Sequence, residues 1–395
     1  MKVKYSFGTV FTAACLGMLL FGIVIISLGS ILPSVIEKFD LDKIQAGSLA
    51  AILPAGILLG SLVFGPVVDR YSYRNLFIIC SILIIAGIEG LAFATSLIVL
   101  QASFFLIGFG GGAFNGGTSA LVADISEERP GKRSANLSLL GVFYGVGALG
   151  VPILIAVLSS SWTFEIILKY IGLAIMLPLV YFAGISYPPA KQKQGTPLKS
   201  ALVLIKDKRL VLLGLFLFFE SALEGIISNW STTFLQNGNT INAADALYAL
   251  SIYILSLTLA RLVLSSLLRE INPFHVLLFS IGIIFIGLSL LLFLHTLTWF
   301  IISFVLLGIG TASGFPVILG YVGELYINLR GTAFSFVFII AIFGNTSMNY
   351  LMGLIAEKSG IDKYPLVLLI CASFLLLIAV LKLPKIVKQK NKLIT

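Results

Sequence analysis

The sequence GPVVDRYSYRN, residues 65–75, joins two long apolar runs and places three charged side chains within six residues. The runs on either side, near residues 46–68 and 75–96, are each close to the ~20 residues that an α-helix needs to cross the hydrocarbon core of a bilayer. A short charged turn between runs of this length predicts two membrane-crossing helices joined outside the hydrocarbon.

The same alternation of apolar runs and polar turns continues along all 395 residues. Only 11% of the residues are charged and 58% are hydrophobic, whereas soluble proteins carry about 25% charged residues. The runs are too long for the alternating strands of a barrel, and helices satisfy their backbone groups internally. We therefore predict an all-α membrane protein with twelve transmembrane helices near residues 10–33, 46–68, 75–96, 98–122, 135–159, 167–187, 210–235, 244–268, 274–294, 298–322, 331–355 and 365–384.

The distribution of basic residues predicts the orientation of these helices. With these boundaries, twenty Lys and Arg residues lie on one side of the membrane, five lie on the other, and Arg261 lies inside a span. Basic loops stay in the cytoplasm, so both termini are expected there, and the favoured location is a bacterial inner membrane. The net charge of +9 is explained in this way without a nucleic-acid partner.

The cysteines and histidines give no sign of a metal or a cofactor. Cys15, Cys80 and Cys371 all lie inside apolar runs, and the two histidines are isolated at span ends. No phosphate-binding loop with the spacing Gly-x-x-x-x-Gly-Lys-Ser/Thr occurs. Any uphill transport would therefore draw on an ion gradient or on exchange.

An internal repeat divides the chain into two halves of six spans. Residues 188–209 form the longest polar stretch and are predicted to be a cytoplasmic linker between bundles at 1–187 and 210–395. The halves align with an offset of 200 residues, which matches Gly108 with Gly308 and Asp124 with Glu324. A parallel repeat of this kind predicts two pseudo-symmetric bundles that rock to expose a midplane cavity to either side in turn.

The turn after the second span resembles the signature loop of the major facilitator superfamily. Gly65, Asp69, Arg70 and Arg74 match that loop, whereas Ser72 stands where the family usually has Gly. The resemblance implies the twelve-helix major facilitator fold and a gating role for Asp69, Arg70 and Arg74. The alternative is an ordinary charged loop that anchors the helix ends.

Two further acids end spans at the same membrane face. Asp124 follows the fourth span and Glu324 follows the tenth, and arginines including Arg133 and Arg330 come soon after them. We expect Asp124, Arg133 and Glu324 to take part in cytoplasmic ion pairs of the same gate. Simple solvation at the membrane interface is the alternative.

The seventh span contains two acids at depth. Glu220 and Glu224 lie roughly 15 and 20 Å into the membrane and share one helix face. Buried carboxylates are costly unless they are paired, hydrated or protonated. They could couple proton movement to transport or bind sugar hydroxyls, and the alternative is an internal ion pair or an interhelical hydrogen bond.

Other polar residues inside spans are candidates for contact with a solute. Each could instead form an interhelical hydrogen bond, and the tryptophan could instead lie in the aromatic belt at the membrane interface. The candidates are Asn115, Ser119, Asn229, Trp230, Asn345 and Asn349. Glu89 is a possible proton site near the outer interface. Arg261 is expected to pair within the C-terminal bundle.

Part of the chain is also similar to the fucose permease-like branch of the superfamily. The similarity lies in the spacing from Glu224 to Trp230, in Ala123-Asp124, and in residues 143–152. That branch includes sugar transporters coupled to protons or sodium. The fifth span lacks the Gly-Pro step that is common in drug–proton antiporters.

These features together predict a secondary active transporter of a small polar solute, with a sugar or sugar derivative favoured. Proton-coupled symport by alternating access is expected, with Na+ as a possible coupling ion, no catalytic residues and a monomeric protein in the lipid bilayer. Efflux of drugs or metabolites is the alternative within the same fold. A receptor or assembly subunit without a transport cycle is the alternative of another class, and an enzyme is not expected.

Overall fold

A computed structural model describes residues 5–41, 43–126, 132–158, 161–189, 206–236, 241, 243–293 and 296–384. Within these ranges the chain is helical and contains no strand. The helices are α1 (Phe7–Phe39), α2 (Lys43–Arg70), α3 (Tyr73–Ala92), α4 (Leu97–Ile125), α5 (Arg133–Leu158), α6 (Phe164–Gly184), α7 (Lys208–Gln236), α8 (Ala243–Leu267), α9 (Pro273–Phe293), α10 (Leu297–Thr311), α11 (Gly314–Leu325), α12 (Arg330–Ser359) and α13 (Tyr364–Leu381).

These helices confirm the predicted twelve-span, all-α membrane architecture. Eleven helical segments among the described residues are long and apolar enough to cross a bilayer. The remaining span, α2, has a shorter apolar stretch at Ile52–Gly65. The predicted bounds agree with the helices to within a few residues at most ends, although α1 runs on to Phe39.

The tenth span differs from its prediction as one continuous helix. It consists of α10 and α11, and Ala312 and Ser313 lie between them. Pro316 contributes to the interruption, because it has no N–H to donate to the carbonyl four residues earlier, although Pro178 lies inside the uninterrupted α6. That carbonyl belongs to Ala312, at the place where α10 has ended.

The described residues belong to two compact units. Unit 1 lies within Met1–Glu128, Phe143–Ala201 and Ile327–Ser335, and unit 2 lies within Arg129–Val142, Leu202–Tyr326 and Phe336–Thr395. Each unit thus holds most of one sequence half together with the start of one helix, α5 or α12, from the other half. The predicted division at 1–187, 188–209 and 210–395 remains a prediction, and residues 190–205 of its linker lie outside the described ranges.

Aromatic rings fill the core of unit 1 near the start of α3. The ring of Phe77 lies 5.2 Å from that of Phe114, 5.3 Å from that of Phe182 and 5.8 Å from that of Tyr187, measured between centroids. These contacts bring together α3, α4, α6 and the residues that follow α6. The packing fixes the helix ends that carry several of the predicted gating residues.

Candidate functional site

Unit 2 brings the two acids of α7 into contact with the arginine of α8. The Arg261 guanidinium lies 3.1 Å from a carboxylate oxygen of Glu224 and donates a hydrogen bond to it. Both side chains are largely buried, with 8% and 22% of their areas exposed. The prediction that Arg261 pairs within the C-terminal half is therefore confirmed, and its partner is Glu224. Either charge alone would be costly to bury inside a membrane-spanning bundle.

Glu220 lies one helical turn before Glu224 and has a different environment. It is 2% exposed, and its Oε1 atom has no hydrogen-bond partner among the described residues. A Cβ atom on Gly314 would overlap the Glu220 carboxyl group. The carboxyl group therefore lies directly against the first residue of α11, where a larger residue would force it to move.

Hydroxyl groups surround the same part of unit 2. The Tyr253 hydroxyl lies 3.3 Å from that of Thr311, the last residue of α10. Ser313 is fully buried, and its Oγ atom has no hydrogen-bond partner within the described segments. The Ser138 hydroxyl donates to the Arg261 carbonyl at 2.6 Å. The acids and the arginine thus lie in a buried polar cluster built from α5, α7, α8, α10 and α11.

A second polar cluster joins α7 to α12 in unit 2. The Asn349 side-chain oxygen accepts hydrogen bonds from the Asn229 amide at 3.0 Å and from the Trp230 indole at 3.2 Å. Asn345 Nδ2 donates to the Ser221 carbonyl at 2.9 Å, and Asn349 Nδ2 donates to Asn345 at 2.8 and 3.1 Å. Four residues predicted separately therefore form one network.

Gly225 allows this second cluster to form. A Cβ atom at this position would overlap the Asn345 side-chain amide. With glycine there, α12 comes close enough for its asparagines to reach the backbone of α7. Asn229 at the end of the network is exposed and Trp230 is half-buried, so the network extends from the helix contact to an accessible surface.

The remaining candidates for solute or proton binding lie in unit 1. Asn115 is half-buried and Ser119 is buried in α4. Glu89 is half-buried on α3, and a Cβ atom on Gly172 of α6 would overlap its carboxylate. Glu89 thus lies between α3 and α6.

The predicted gating residue Asp124 lies in an ion pair within unit 1. Arg330 Nη1 lies 2.9 Å from Asp124 Oδ1, and the Tyr73 hydroxyl donates to Asp124 Oδ2 at 2.7 Å. Arg330 is 1% exposed. The pair connects the end of α4 to the start of α12, two elements from different sequence halves.

A similar ion pair lies within unit 2. Arg133 at the start of α5 lies 3.7 Å from Glu324 at the end of α11. The predicted repeat matches Asp124 with Glu324, whereas Arg133 and Arg330 do not fall at matched positions. In both pairs, an acid at a helix end meets an arginine at the first residue of a helix.

The signature loop itself is only partly described. The side chain of Asp69 lies outside the described side chains, and Arg70 is exposed. Arg74 is also exposed, and its guanidinium donates to the carbonyl of Ala183 near the end of α6. Within unit 1, Arg74 therefore caps a helix C-terminus, an arrangement that the helix dipole favours. The gating roles of these residues remain predictions.

Sequence reasoning missed several residues of these sites. Tyr73 was not among the predicted site residues, although its hydroxyl donates to Asp124. Ser313 and Pro316 were not singled out; a proline inside an apolar run is a possible sign of a helix break, but Pro178 shows that it does not always produce one. Asp207 was also missed; it accepts a 2.7 Å hydrogen bond from Tyr326, just after α11.

The donor chemistry of the described residues does not favour a metal site. No group of three or more His, Cys, Asp or Glu side chains suited to a metal ion occurs among them. Cys15, Cys80 and Cys371 are buried and free.

The chain matches one protein-family model over nearly its whole length. The matching model is the Major Facilitator Superfamily, and the match covers residues 14–297 and 224–393. Two relatives from Bacillus subtilis are 24% identical: an uncharacterized MFS-type transporter, YfkL, aligned over 86% of this chain and 87% of its own, and the glucose/mannose transporter GlcP, aligned over 84% of each.

Solved structures show the same fold. The structure of FucP in the outward conformation has a TM-score of 0.78 and 16% identity, and the match covers 93% of this chain and 97% of that one. A structure of the E. coli fucose:proton symporter has a TM-score of 0.78 and 15% identity, and the match covers 93% of this chain and 97% of that one. The structure of the proton:xylose symporter XylE has a TM-score of 0.77 and 15% identity, and the match covers 94% of each chain.

These matches confirm the family, the fold and the assignment as a transporter rather than an enzyme. They also place the chain among integral, multi-pass membrane proteins with bacterial relatives. The fucose permease-like branch remains a prediction, since likeness at 15–16% identity speaks for the fold alone. The chain belongs to the Major Facilitator Superfamily.

Proposed function

We propose that this transporter is a secondary active symporter that moves a sugar or sugar derivative together with a proton. The observation that carries the proposal is the buried cluster of Glu220, Glu224 and Arg261 in unit 2, which holds two acids against one guanidinium. With both acids ionised the cluster carries one negative charge. A buried uncompensated charge is costly, so the cluster has reason to take up one proton during a cycle.

The amide and indole network supports a solute rich in hydroxyl groups. Asn229, Trp230 and Asn349 offer several donors and acceptors around one junction, and Asn229 is exposed. Amides can both donate to and accept from a hydroxyl group, and an indole face is a good surface for a sugar ring. Relatives named as glucose/mannose, fucose and xylose transporters agree with this chemistry.

The two arginine–acid pairs support gating at one membrane face. Each joins residues from different sequence halves, Asp124 with Arg330 and Arg133 with Glu324. Alternating access requires contacts that form in one state and separate in the other. Together with the basic bias of the same loops, this favours a cytoplasmic gate, cytoplasmic termini and a bacterial inner membrane.

Transport assays in proteoliposomes test the proposal. Purified protein would be offered labelled L-fucose, D-xylose, D-glucose and D-mannose under an inward proton gradient, with collapse of the gradient as the comparison. We expect gradient-dependent accumulation of at least one sugar and at least a tenfold loss in Asn349→Ala. Asn272→Ala is the matched control in unit 2, because Asn272 Oδ1 accepts a hydrogen bond from the Phe274 amide at a helix start.

The proposal would fail if wild-type protein moved none of these sugars and moved apolar drugs outward instead. It would fail in its sugar part if Asn349→Ala and Asn272→Ala transported equally well.

A further inference from the structure

The interruption between α10 and α11 leaves backbone groups outside the helical hydrogen-bond ladder. α10 ends at Thr311 and α11 begins at Gly314. Pro316 has no N–H for the Ala312 carbonyl, and the last carbonyls of α10 and the first N–H groups of α11 lose their i→i+4 partners at the same place. Acceptors and donors therefore stand side by side inside a span.

The Glu220 carboxyl group lies against this interruption. It occupies the space that a Cβ atom on Gly314 would need, and it is 2% exposed. Glu220 Oε1 and Ser313 Oγ are both buried without a hydrogen-bond partner among the described residues. Buried polar atoms are nearly always paired in native proteins, so two such atoms at one helix break indicate a site for a ligand.

The charges around Glu220 decide the sign of that ligand. Glu224 of α7 and Arg261 of α8 are the charged groups that act on Glu220, and Tyr253 of α8 is the further titratable neighbour. Arg261 is already engaged by Glu224 at 3.1 Å. With both acids ionised, the cluster therefore lacks one positive charge, and the site calls for a monovalent cation.

The packing decides which cation fits. The carboxyl group rests directly on Gly314 without an intervening side chain. A hard metal cation needs several oxygen ligands arranged around it, whereas a proton needs only the carboxyl oxygen itself. The contact with Gly314 thus favours a proton over Na+.

We propose that the α10–α11 break is the proton-binding site of this transporter, with Glu220 as the group that is protonated and Ser313 as its positioning residue. Glu224 is then the permanent partner of Arg261 and does not carry the proton. This inference rests on the proposed function in one respect: it names the residue that performs the proton step.

The break offers partners to both forms of the carboxyl group. When a proton from water binds Oε1, an O–H bond forms, the charge on Glu220 goes from −1 to 0, and the new O–H can donate to a carbonyl released at the end of α10. When the proton leaves, the carboxylate can accept from the Ser313 hydroxyl and from the N–H groups at the start of α11, where the helix dipole favours negative charge. A continuous helix would offer neither the free carbonyl for the protonated form nor the free N–H groups for the carboxylate.

Infrared difference spectroscopy of the protein in lipid vesicles tests the site without any solute. The pH would be stepped across the titration range, and the carboxylic acid C=O stretch would be followed in wild type, Glu220→Gln, Glu224→Gln and Ser313→Ala. We expect a titrating band in wild type that is lost in Glu220→Gln and retained in Glu224→Gln. In Ser313→Ala the band should remain but shift in frequency and midpoint, because one hydrogen-bond partner is gone.

Two results would overturn the inference: retention of the wild-type band in Glu220→Gln, or its loss in Glu224→Gln alone. If Glu220→Gln does not fold, an unchanged band in Ser313→Ala would overturn the positioning role and the proposed site with it. Absence of sugar uptake by wild-type protein with a normal band would instead remove the proposed transport function and leave the proton site standing. The two failures are therefore distinguishable.

Discussion

Arg330 at the start of α12 donates a 2.9 Å hydrogen bond to Asp124 at the end of α4, although 206 residues separate them in the chain. Tyr73 donates to the second oxygen of the same carboxylate. Arg133 at the start of α5 and Glu324 at the end of α11 form a similar pair at 3.7 Å. Among the described residues, each unit therefore contains a pair between an acid near the end of one helix and an arginine that begins another.

The Asp124–Arg330 pair should contribute strongly to stability. Replacing Asp124 with Ala leaves a guanidinium that is 1% exposed without its carboxylate, and such a loss costs about 3–5 kcal/mol. Chemical unfolding in detergent would measure the change. Arg209→Ala is the control, because the Arg209–Asp207 pair is 42% and 21% exposed and pairs of that kind contribute about 1 kcal/mol or less. Equal losses in the two variants would contradict the assignment.

The Arg133–Glu324 pair should show weaker coupling than the Asp124–Arg330 pair. Its atoms are 3.7 Å apart, against 2.9 Å for Asp124 and Arg330, and electrostatic attraction falls with distance. Double-mutant cycles with alanine at both members of each pair would measure the two coupling energies. We expect a positive coupling in both and the larger value for Asp124 and Arg330. A larger value for Arg133 and Glu324 would be inconsistent with the geometry.

A side chain at Gly225 should destabilise the protein, because Asn345 and Asn349 would have to shift out of their hydrogen bonds. Gly225→Ala would place a Cβ atom on the Asn345 amide, and overpacking of this kind costs about 1–3 kcal/mol. Gly282→Ala is the matched control, because no atom lies within 4 Å of its added Cβ and alanine in a helix is favoured over glycine by up to about 1 kcal/mol. Thermal unfolding of both variants would show a fall for Gly225→Ala and no fall for Gly282→Ala. The reverse order would refute the close approach of α7 and α12.

Asp207 should make stability depend on pH at the acid end. Burial acts to raise the pKa of its carboxyl group, but hydrogen bonds from Arg209 and Tyr326 outweigh this and hold the pKa below its usual value. A carboxyl group whose pKa is lower in the folded protein stabilises it above about pH 4, and the contribution is lost as the pH falls through the folded pKa. The thermal midpoint of Asp207→Asn should therefore lie below that of wild type at neutral pH, and the gap should narrow below about pH 4.

Tyr326→Phe is the comparison for this experiment, because it removes only the 2.7 Å hydrogen bond from the tyrosine. At neutral pH its thermal midpoint should also lie below that of wild type, but by less than that of Asp207→Asn. A gap that widened toward acid pH would show that Asp207 is not held as a carboxylate.

Much of the fold follows from the sequence, because the lengths of the apolar runs and the offset of 200 residues are properties of the chain alone. The depth of Glu220 and Glu224 also follows from their distance to Arg209. Which of the two acids meets Arg261 does not, because that depends on how α7 and α8 rotate against each other. The sequence expectation treated the two acids alike, whereas the structure gives Glu224 a guanidinium and places Glu220 at a helix break.

The break between α10 and α11 is harder to find in the sequence. Hydropathy averages over a window and places residues 298–322 in one span. The backbone rule for proline does not single out Pro316 either, because Pro54 and Pro178 lie inside uninterrupted helices. The meaning of the break becomes visible only when Glu220, 96 residues earlier in the chain than Pro316, is found packed against Gly314.

The most direct test of the whole account is the movement of protons with solute in reconstituted vesicles. A pH-sensitive dye inside the vesicles would be followed after addition of L-fucose, D-xylose, D-glucose or D-mannose to wild type and to Glu220→Gln. The account predicts acidification on addition of the transported sugar to wild type. In Glu220→Gln it predicts no acidification, with exchange of labelled for unlabelled sugar preserved. Sugar entry without any acidification in wild type, or unchanged acidification in Glu220→Gln, would contradict it.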